Sequence, residues 1–504
     1  MIPWITLATF LPWLGALVVA LAARRAPVPA RKLALAWSLL PLVIVGGAMA
    51  AGAFRIEQSD ALQMTERAPW IPALGVEYFV GLDGLGLVCL LLAALVVPLA
   101  LAVGGAGGPL GAALFLFLQG SLVGTFTALN FVHWFVFWEL SLVPAFFLIK
   151  LWGGPRRSPA AYQFFVYTML GSAAMLVAMV AVYRATGTFD FVKLAEHGRM
   201  GLLDQKLGGP SSLWPTLVFF GVLLGLAVKV PLFPFHTWLP EAYGEAPAPA
   251  TMVLTGVMSK MGLYGFLRLL GPVFPEQMKE WSPLLIWLAV AGIVFSAWAA
   301  LAQRDMKRMF AYSSINHLGY CLLAVFAVGS QTGTSQGQAI ALDGCLLQIF
   351  NHGLTAPVLF ACVALLERRS GGRAGLDDFG GLRARVPVFA GFFGIALFSS
   401  LGLPALNGFI GEFLVFQGGF MLQPAATAVA TVGLLLTAVF LLTFWKKVFH
   451  GPPNERWSSM PDLSRQERLL LAPALLLMIV LGLFPQLLLH WLNPVAQALL
   501  PGLR

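Results

Sequence analysis

The chain has 504 residues, of which 59% are hydrophobic and only 11% charged, with a formal net charge of +9. A soluble domain carries roughly 25% charged residues, so this composition excludes one and describes an integral membrane protein of the helical kind. The basic excess follows the loops in alternation and forms no patch, which argues against a nucleic-acid partner and for membrane topology.

In chain order, about fourteen apolar stretches are long enough to cross a bilayer, and none shows the strand-length alternation of a β-barrel. They lie near residues 2–23, 33–53, 82–103, 110–130, 132–150, 162–184, 214–243, 249–270, 283–302, 308–328, 339–366, 387–419, 425–447 and 468–491. The first has no basic residue before it and Arg24 and Arg25 after it, the reverse of a secretory signal, so it reads as a retained helix that starts outside. On that orientation 20 of the 31 Lys and Arg fall on cytoplasmic loops and nine on the other side, counting Arg268 and Arg504 there. Both termini are then expected on the periplasmic side of a bacterial inner membrane. The longest outer loops, 54–81 and 185–213, read as surface segments too short to be domains. The glycines of 104–109 make a turn and need no phosphate to explain them. With no large soluble domain, chemistry that requires a nucleotide fold must sit on another polypeptide.

Cys89, Cys321, Cys345 and Cys362 stand singly in apolar spans without metal-ligand spacing. Disulfides, iron–sulfur clusters and zinc are not expected, and no cofactor is expected in this chain.

The seventh span carries Lys229 near mid-membrane, followed at once by Pro231 and then Pro234. A mid-span lysine costs about 2.5 to 3.5 kcal/mol on insertion scales, which makes its default reading functional. Two prolines beside it predict a broken helix, and such backbone at membrane depth persists only where it is buried in protein or lines a wet cavity. The twelfth span reads SSLGLPALNGFIGEFLVF, with Pro404, Asn407 and Gly408 as breakers and Glu412 beyond them. Interrupted helices in corresponding positions point to inverted repeats. The expected architecture is an all-α polytopic membrane protein of about fourteen helices, with two inverted five-helix repeats, spans four to eight and nine to thirteen. Lys229 and Glu412 would be counterparts. The corresponding segments are residues 1–109, 110–282, 283–450 and 451–504.

Other ionisable groups share this depth. Glu139 lies among aromatics in the fifth span with Pro144 after it, and Lys260 lies about ten residues into the eighth. Burial and an adjacent carboxylate act in opposite senses on a lysine's hold on its proton. Moving the Glu139 charge relative to Lys229 would therefore switch Lys229 between keeping and releasing a proton. His317 and His352 each lie inside a span beside an asparagine, and His236 lies in the broken seventh; imidazole titrates near neutrality and can shuttle protons, although a buried histidine is also an ordinary hydrogen-bonding residue. Lys260, water and these histidines can then pass a proton toward Glu412. His133 and His450, near span ends, read as interfacial.

At these motifs the sequence resembles the antiporter-like subunits of complex I, the respiratory NADH:quinone oxidoreductase. The resemblance rests on FVFWELSLVPAFFLI, VKVPLFPFHTWLPEA, SKMGLYGFLR, QRDMKRMFAYSSINHLGY and NGFIGEFLVF and covers nearly the whole chain. Glutamate at 412, where sister subunits and most sodium/proton antiporter chains have lysine, resembles the M-type subunit. The resemblance implies that Glu139 and Lys229 form a pump pair, that Lys260 connects, and that Glu412 is the terminal proton-exchanging group, with half-channel roles for the histidines. It implies a translocase subunit without a redox centre of its own, with FMN, iron–sulfur clusters and quinone in other subunits and L-type and N-type paralogues as membrane neighbours. Two alternatives stay open: a subunit of a multisubunit Na+/H+ antiporter, and a subunit of a ferredoxin-driven photosynthetic relative of complex I.

Overall fold

The computed structural model describes residues 2–25, 30–105, 107–209 and 212–503. Twelve helices among these residues are long and apolar enough to cross a membrane, and the seventh and twelfth spans cross as pairs of shorter helices. The expected count of about fourteen is borne out. Arg504, Ala106 of the glycine-rich turn, Pro210 and Ser211 of the second long loop, and the side chains of Arg24 and Arg25 lie outside the described residues.

Polar caps fix the helix starts that apolar runs leave open. Asp83 accepts from Gly86 N at 3.0 Å, Asn130 from Val132 N at 3.1 Å, Asp305 from Arg308 N at 2.9 Å and Thr334 from Gly337 N at 3.1 Å. These open the third, fifth, tenth and eleventh spans. The eighth (Ala248–Val273), tenth (Met306–Gly329) and eleventh (Ser335–Ser370) are buried along nearly their whole length and form the centre of the molecule. The sixth, thirteenth and fourteenth expose apolar side chains such as Leu170, Val177, Leu435 and Leu469, as lipid-facing helices do.

Both broken spans form as expected. The seventh runs as Trp214–Lys229 and resumes as Trp238–Glu245, and the twelfth runs as Pro387–Ser400 and resumes as Asn407–Leu422. Lys229 ends the first half of its span, whereas Glu412 lies inside the second half of its own. The two are therefore not positional counterparts, because the prolines that break the seventh span follow its lysine and Pro404 precedes Glu412.

Four features depart from the sequence reading. The 54–81 loop holds an antiparallel β-hairpin, Gln63–Ile71 paired with Val76–Leu82, closed by Gly75 at a left-handed φ of 60°. Arg67 ties this hairpin to Glu77 at 2.5 Å and to Asp190 of the next long loop at 2.9 Å. Its hydrogen bond holds the Glu77 carboxyl below the ordinary carboxylate range. That next loop contains helices Phe191–Arg199 and Leu202–Lys206. The eighth span contains two π-helical segments, Leu254–Met258 and Phe266–Leu270. Finally, the fourteenth span stops at Leu483, and Pro485 separates it from a distinct C-terminal helix, Gln486–Leu503.

The end of the molecule that carries the β-hairpin is here the hairpin rim, and the opposite end the basic rim. The C-terminal helix belongs to the hairpin rim, where the Trp491 carbonyl accepts from Ser59 Oγ at 2.6 Å. The basic rim is cross-linked by Glu241, 2.8 Å from Arg308 and 3.7 Å from Arg156, and by Glu245, which accepts from Arg156 N at 2.8 Å.

Candidate functional site

Lys229 is 2% exposed and ends a half-helix whose next turn is broken. Its ammonium makes no hydrogen bond among the described residues and lies 4.9 Å from the centre of the Trp138 ring, a cation–π contact. Glu139, beside that tryptophan, is half-buried and within electrostatic reach of Lys229, with no ion pair inside 4.0 Å. The expected pair is thus a separated one, with Trp138 against the lysine. The fifth span also turns at Ser141, between Phe131–Leu140 and Leu142–Trp152, two residues past Glu139.

Lys260 is fully buried and satisfied. The π-helical turn before it widens the backbone, and the Thr255 carbonyl accepts the Lys260 ammonium at 2.7 Å and the Ser259 hydroxyl at 2.8 Å. The ammonium also lies 2.6 Å from His352 Nδ1. A charged Lys260 donating there requires the His352 tautomer that carries its proton on Nε2. The His352 and His317 rings are 5.5 Å apart between centroids. His317 Nδ1 then lies 3.1 Å from Glu412 Oε1, and its Nε2 lies 3.2 Å from Ser400 Oγ. Four side chains from four spans thus form one buried file ending on a carboxylate.

The break in the twelfth span is pinned to the eleventh by a polar cluster. Asn351 Nδ2 donates to the Asn407 carbonyl at 2.6 Å, Asn407 Nδ2 donates to Asn351 Oδ1 at 3.2 Å, and Ser399 Oγ donates to Asn407 Oδ1 at 2.6 Å. These bonds tie both ends of the break, Ser399 on one half-helix and Asn407 on the other, to the eleventh span and fix the start of the half-helix bearing Glu412.

His236 and His133 are among the histidines that fall outside the file. His236 is half-buried and stacks on Phe233, their rings 5.4 Å apart, away from the Lys260–Glu412 row. His133, read as interfacial, is 3% exposed beneath the hairpin, with the Tyr78 ring at 4.8 Å and Phe137 at 4.9 Å. The hairpin folds over it, and span-end position alone gives no sign of that. Sequence reasoning also missed Trp138 and Ser400. Trp138 was adjacent to a singled-out glutamate, whereas nothing local marked Ser400. Arg268, counted as a loop residue, is instead inside the eighth span and paired with Asp83.

The model of the NADH:quinone oxidoreductase/Mrp antiporter transmembrane family matches residues 128–437. The chain belongs to this family. Among its relatives, a protein named NADH-quinone oxidoreductase subunit M from Rickettsia typhi is 35% identical over 442 residues, covering 85% of this chain and 84% of that protein. A subunit M from Rhodobacter capsulatus is 33% identical over 506 residues, covering 97% and 95%. The family member also superposes on a chain of respiratory complex I from Thermus thermophilus with bound NADH, with a TM-score of 0.87 at 28% identity, covering 99% of this chain and 100% of that one. A chain of the Mrp complex from Dietzia sp. gives a TM-score of 0.81 at 25% identity, but only 52% of it is covered. The resemblance to M-type subunits drawn from the sequence motifs is borne out.

Proposed function

We propose that this chain is the M-type membrane subunit of a bacterial respiratory NADH:quinone oxidoreductase and translocates protons while electron transfer proceeds in other subunits. The observation that carries this reading is the buried Lys260–His352–His317–Glu412 file in a chain that matches subunit M over nearly its full length. Lys229 and Glu139 act at its head. A shift of the Glu139 charge changes the proton affinity of Lys229, and Lys260 and the two histidines carry the proton to Glu412. His236 has no place in the file and serves the wall of the broken seventh span.

Moving each charge across the membrane costs about 2.3 kcal/mol per 100 mV, which no group in this chain supplies. The energy comes from partners: flavin, iron–sulfur and quinone chemistry resides in other subunits, and L-type and N-type paralogues flank this one. The basic rim faces the cytoplasm and the hairpin rim, with both termini, faces the periplasm. Residues 110–282 and 283–450 are the two inverted repeats around which the file is built.

A second reading, a subunit exchanging sodium for protons, is favoured by the likeness to the Mrp chain. Full-length coverage of the complex I chain and the carboxylate at 412 favour the first. NADH-driven acidification of inverted membrane vesicles carrying Lys229→Ala separates them. The proposed function expects strongly reduced acidification at any sodium concentration. Intact respiration-driven acidification with lost sodium uptake by the inverted vesicles would replace it with the antiporter reading.

A further inference from the structure

The buried face of the eighth span continues past Lys260 toward the hairpin rim. Lys260, Tyr264 and Arg268 follow one another at one-turn spacing, so they share a face. Tyr264 is 1% exposed, and the Arg268 guanidinium lies 5.4 Å from its ring centre. Arg268 is paired with Asp83, the cap of the third span. Cys89, farther along that span, is within electrostatic reach of Lys260, Asp83 and Arg268, so the third span closes over this file. Beyond the pair opens a cavity of about 300 Å³, lined by Arg268, Asp60, Arg199 and, from the C-terminal helix, Leu499 and Gly502. Arg268 Nε is buried without a hydrogen-bond partner.

From Lys260 to Arg268 is eight residues, a rise of at most about 12 Å at α-helical pitch and less through the π-helical turn at Phe266–Leu270, a gap that Tyr264 and one or two waters can bridge. A pump cannot tolerate that shortcut, because a proton on Lys260 would meet the hairpin-side cavity without passing His352, His317 and Glu412. We propose that the Arg268–Asp83 pair is an electrostatic plug closing this shortcut. The guanidinium keeps its charge at any working pH and repels a protonated water, as an arginine does in pores that pass water and exclude protons. Asp83 is a positioning residue: it offsets the desolvation of Arg268 and holds it across the file. The plug rests on the proposed proton-translocating function, since only a proton on Lys260 needs confining.

The test is the decay of an imposed pH gradient in liposomes containing the assembled complex, without NADH. Arg268→Gln combined with Asp83→Asn leaves no buried charge unpaired and is expected to speed the decay several-fold. Adding Lys260→Ala should return it to the wild-type rate. Arg268→Ala with Asp83→Ser, which keeps a helix cap, gives a second neutral pair should the first not assemble. Wild-type tightness in an assembled neutral variant overturns the plug, as does a leak that persists with Lys260→Ala. Because the leak is read without electron transfer, failure of the proposed function shows separately, as normal NADH-driven pumping in Lys229→Ala.

Discussion

His317 Nδ1 lies 3.1 Å from Glu412 Oε1, which places the His317 ring between the carboxylate and His352. The tenth and twelfth spans thus meet through an imidazole–carboxylate contact. Positioned proton-transfer groups are typically worth two or more orders of magnitude in rate. Glu412→Gln and His317→Ala are each expected to lower NADH-driven pumping by roughly an order of magnitude or more. Glu412→Lys sets a cation against His317, near His352 and Lys260, and should be no better tolerated. Vesicle acidification per NADH oxidised measures all three; an unchanged ratio in Glu412→Gln would remove that residue from the path.

At the other end, the proposed pair of Glu139 and Lys229 is separated by a gap. With no ion pair inside 4.0 Å and Trp138 against the ammonium, their interaction is a field effect. A field effect depends on charge more than on contact geometry. Lys229→Arg should therefore keep part of the pumping that Lys229→Ala loses, and Glu139→Asp should retain more than Glu139→Gln. Trp138→Leu removes the cation–π partner, worth about 2 kcal/mol when desolvated. It should alter the pH profile of pumping while the complex still assembles. Equal losses in Glu139→Asp and Glu139→Gln would show that contact, not charge, matters there.

The membrane fold was legible because bilayer crossing imposes long apolar runs and charged loops, and both breaks were legible from Pro231, Pro234 and Pro404. The ionisable residues of the file were legible for the same reason, since each stood against an apolar background. What stayed hidden has no local mark. Pro69 interrupts the alternation of the first hairpin strand, so 63–71 reads as loop. A π-helical turn has no composition of its own, so the backbone site that holds Lys260 was invisible. The run around Pro485 reads as one span because both sides are apolar. The order of side chains within the file depends on which helix faces which, and sequence spacing does not carry that.

The asparagine pair at the twelfth-span break gives a stability prediction. Asn407→Ala strands Asn351 Oδ1 in a buried site and leaves Ser399 Oγ with Thr355 Oγ1 as its remaining partner, and an unsatisfied buried group costs about 1 to 3 kcal/mol. A lower unfolding temperature of the purified complex is expected, with pumping reduced because the Glu412 half-helix loses its anchor. Asn407→Asp keeps the acceptor for Ser399 but adds a buried charge, and should be as damaging. Wild-type thermal stability in Asn407→Ala would mean that packing alone holds the break.

The eleventh and twelfth spans approach each other through glycine. A Cβ at Gly418 would lie 2.4 Å from Ala341 N, and one at Gly344 would lie 2.4 Å from Val415 N, in both cases against backbone that cannot rotate away. Close helix approach through small residues is how membrane helices gain packing without a hydrophobic drive between them. Gly418→Val must therefore push the two helices apart, and overpacking typically costs about 1 to 3 kcal/mol. The displacement also moves the half-helix that carries Glu412 and so disturbs its contact with His317 of the tenth span, and pumping should fall along with the amount of assembled complex. Gly391→Ala, on the same span but with nothing within 4 Å of the added carbon, is the control and should leave both unchanged. Blue-native electrophoresis of solubilised membranes reads the assembly: normal complex levels in Gly418→Val would show that the interface yields more easily than its backbone contacts imply.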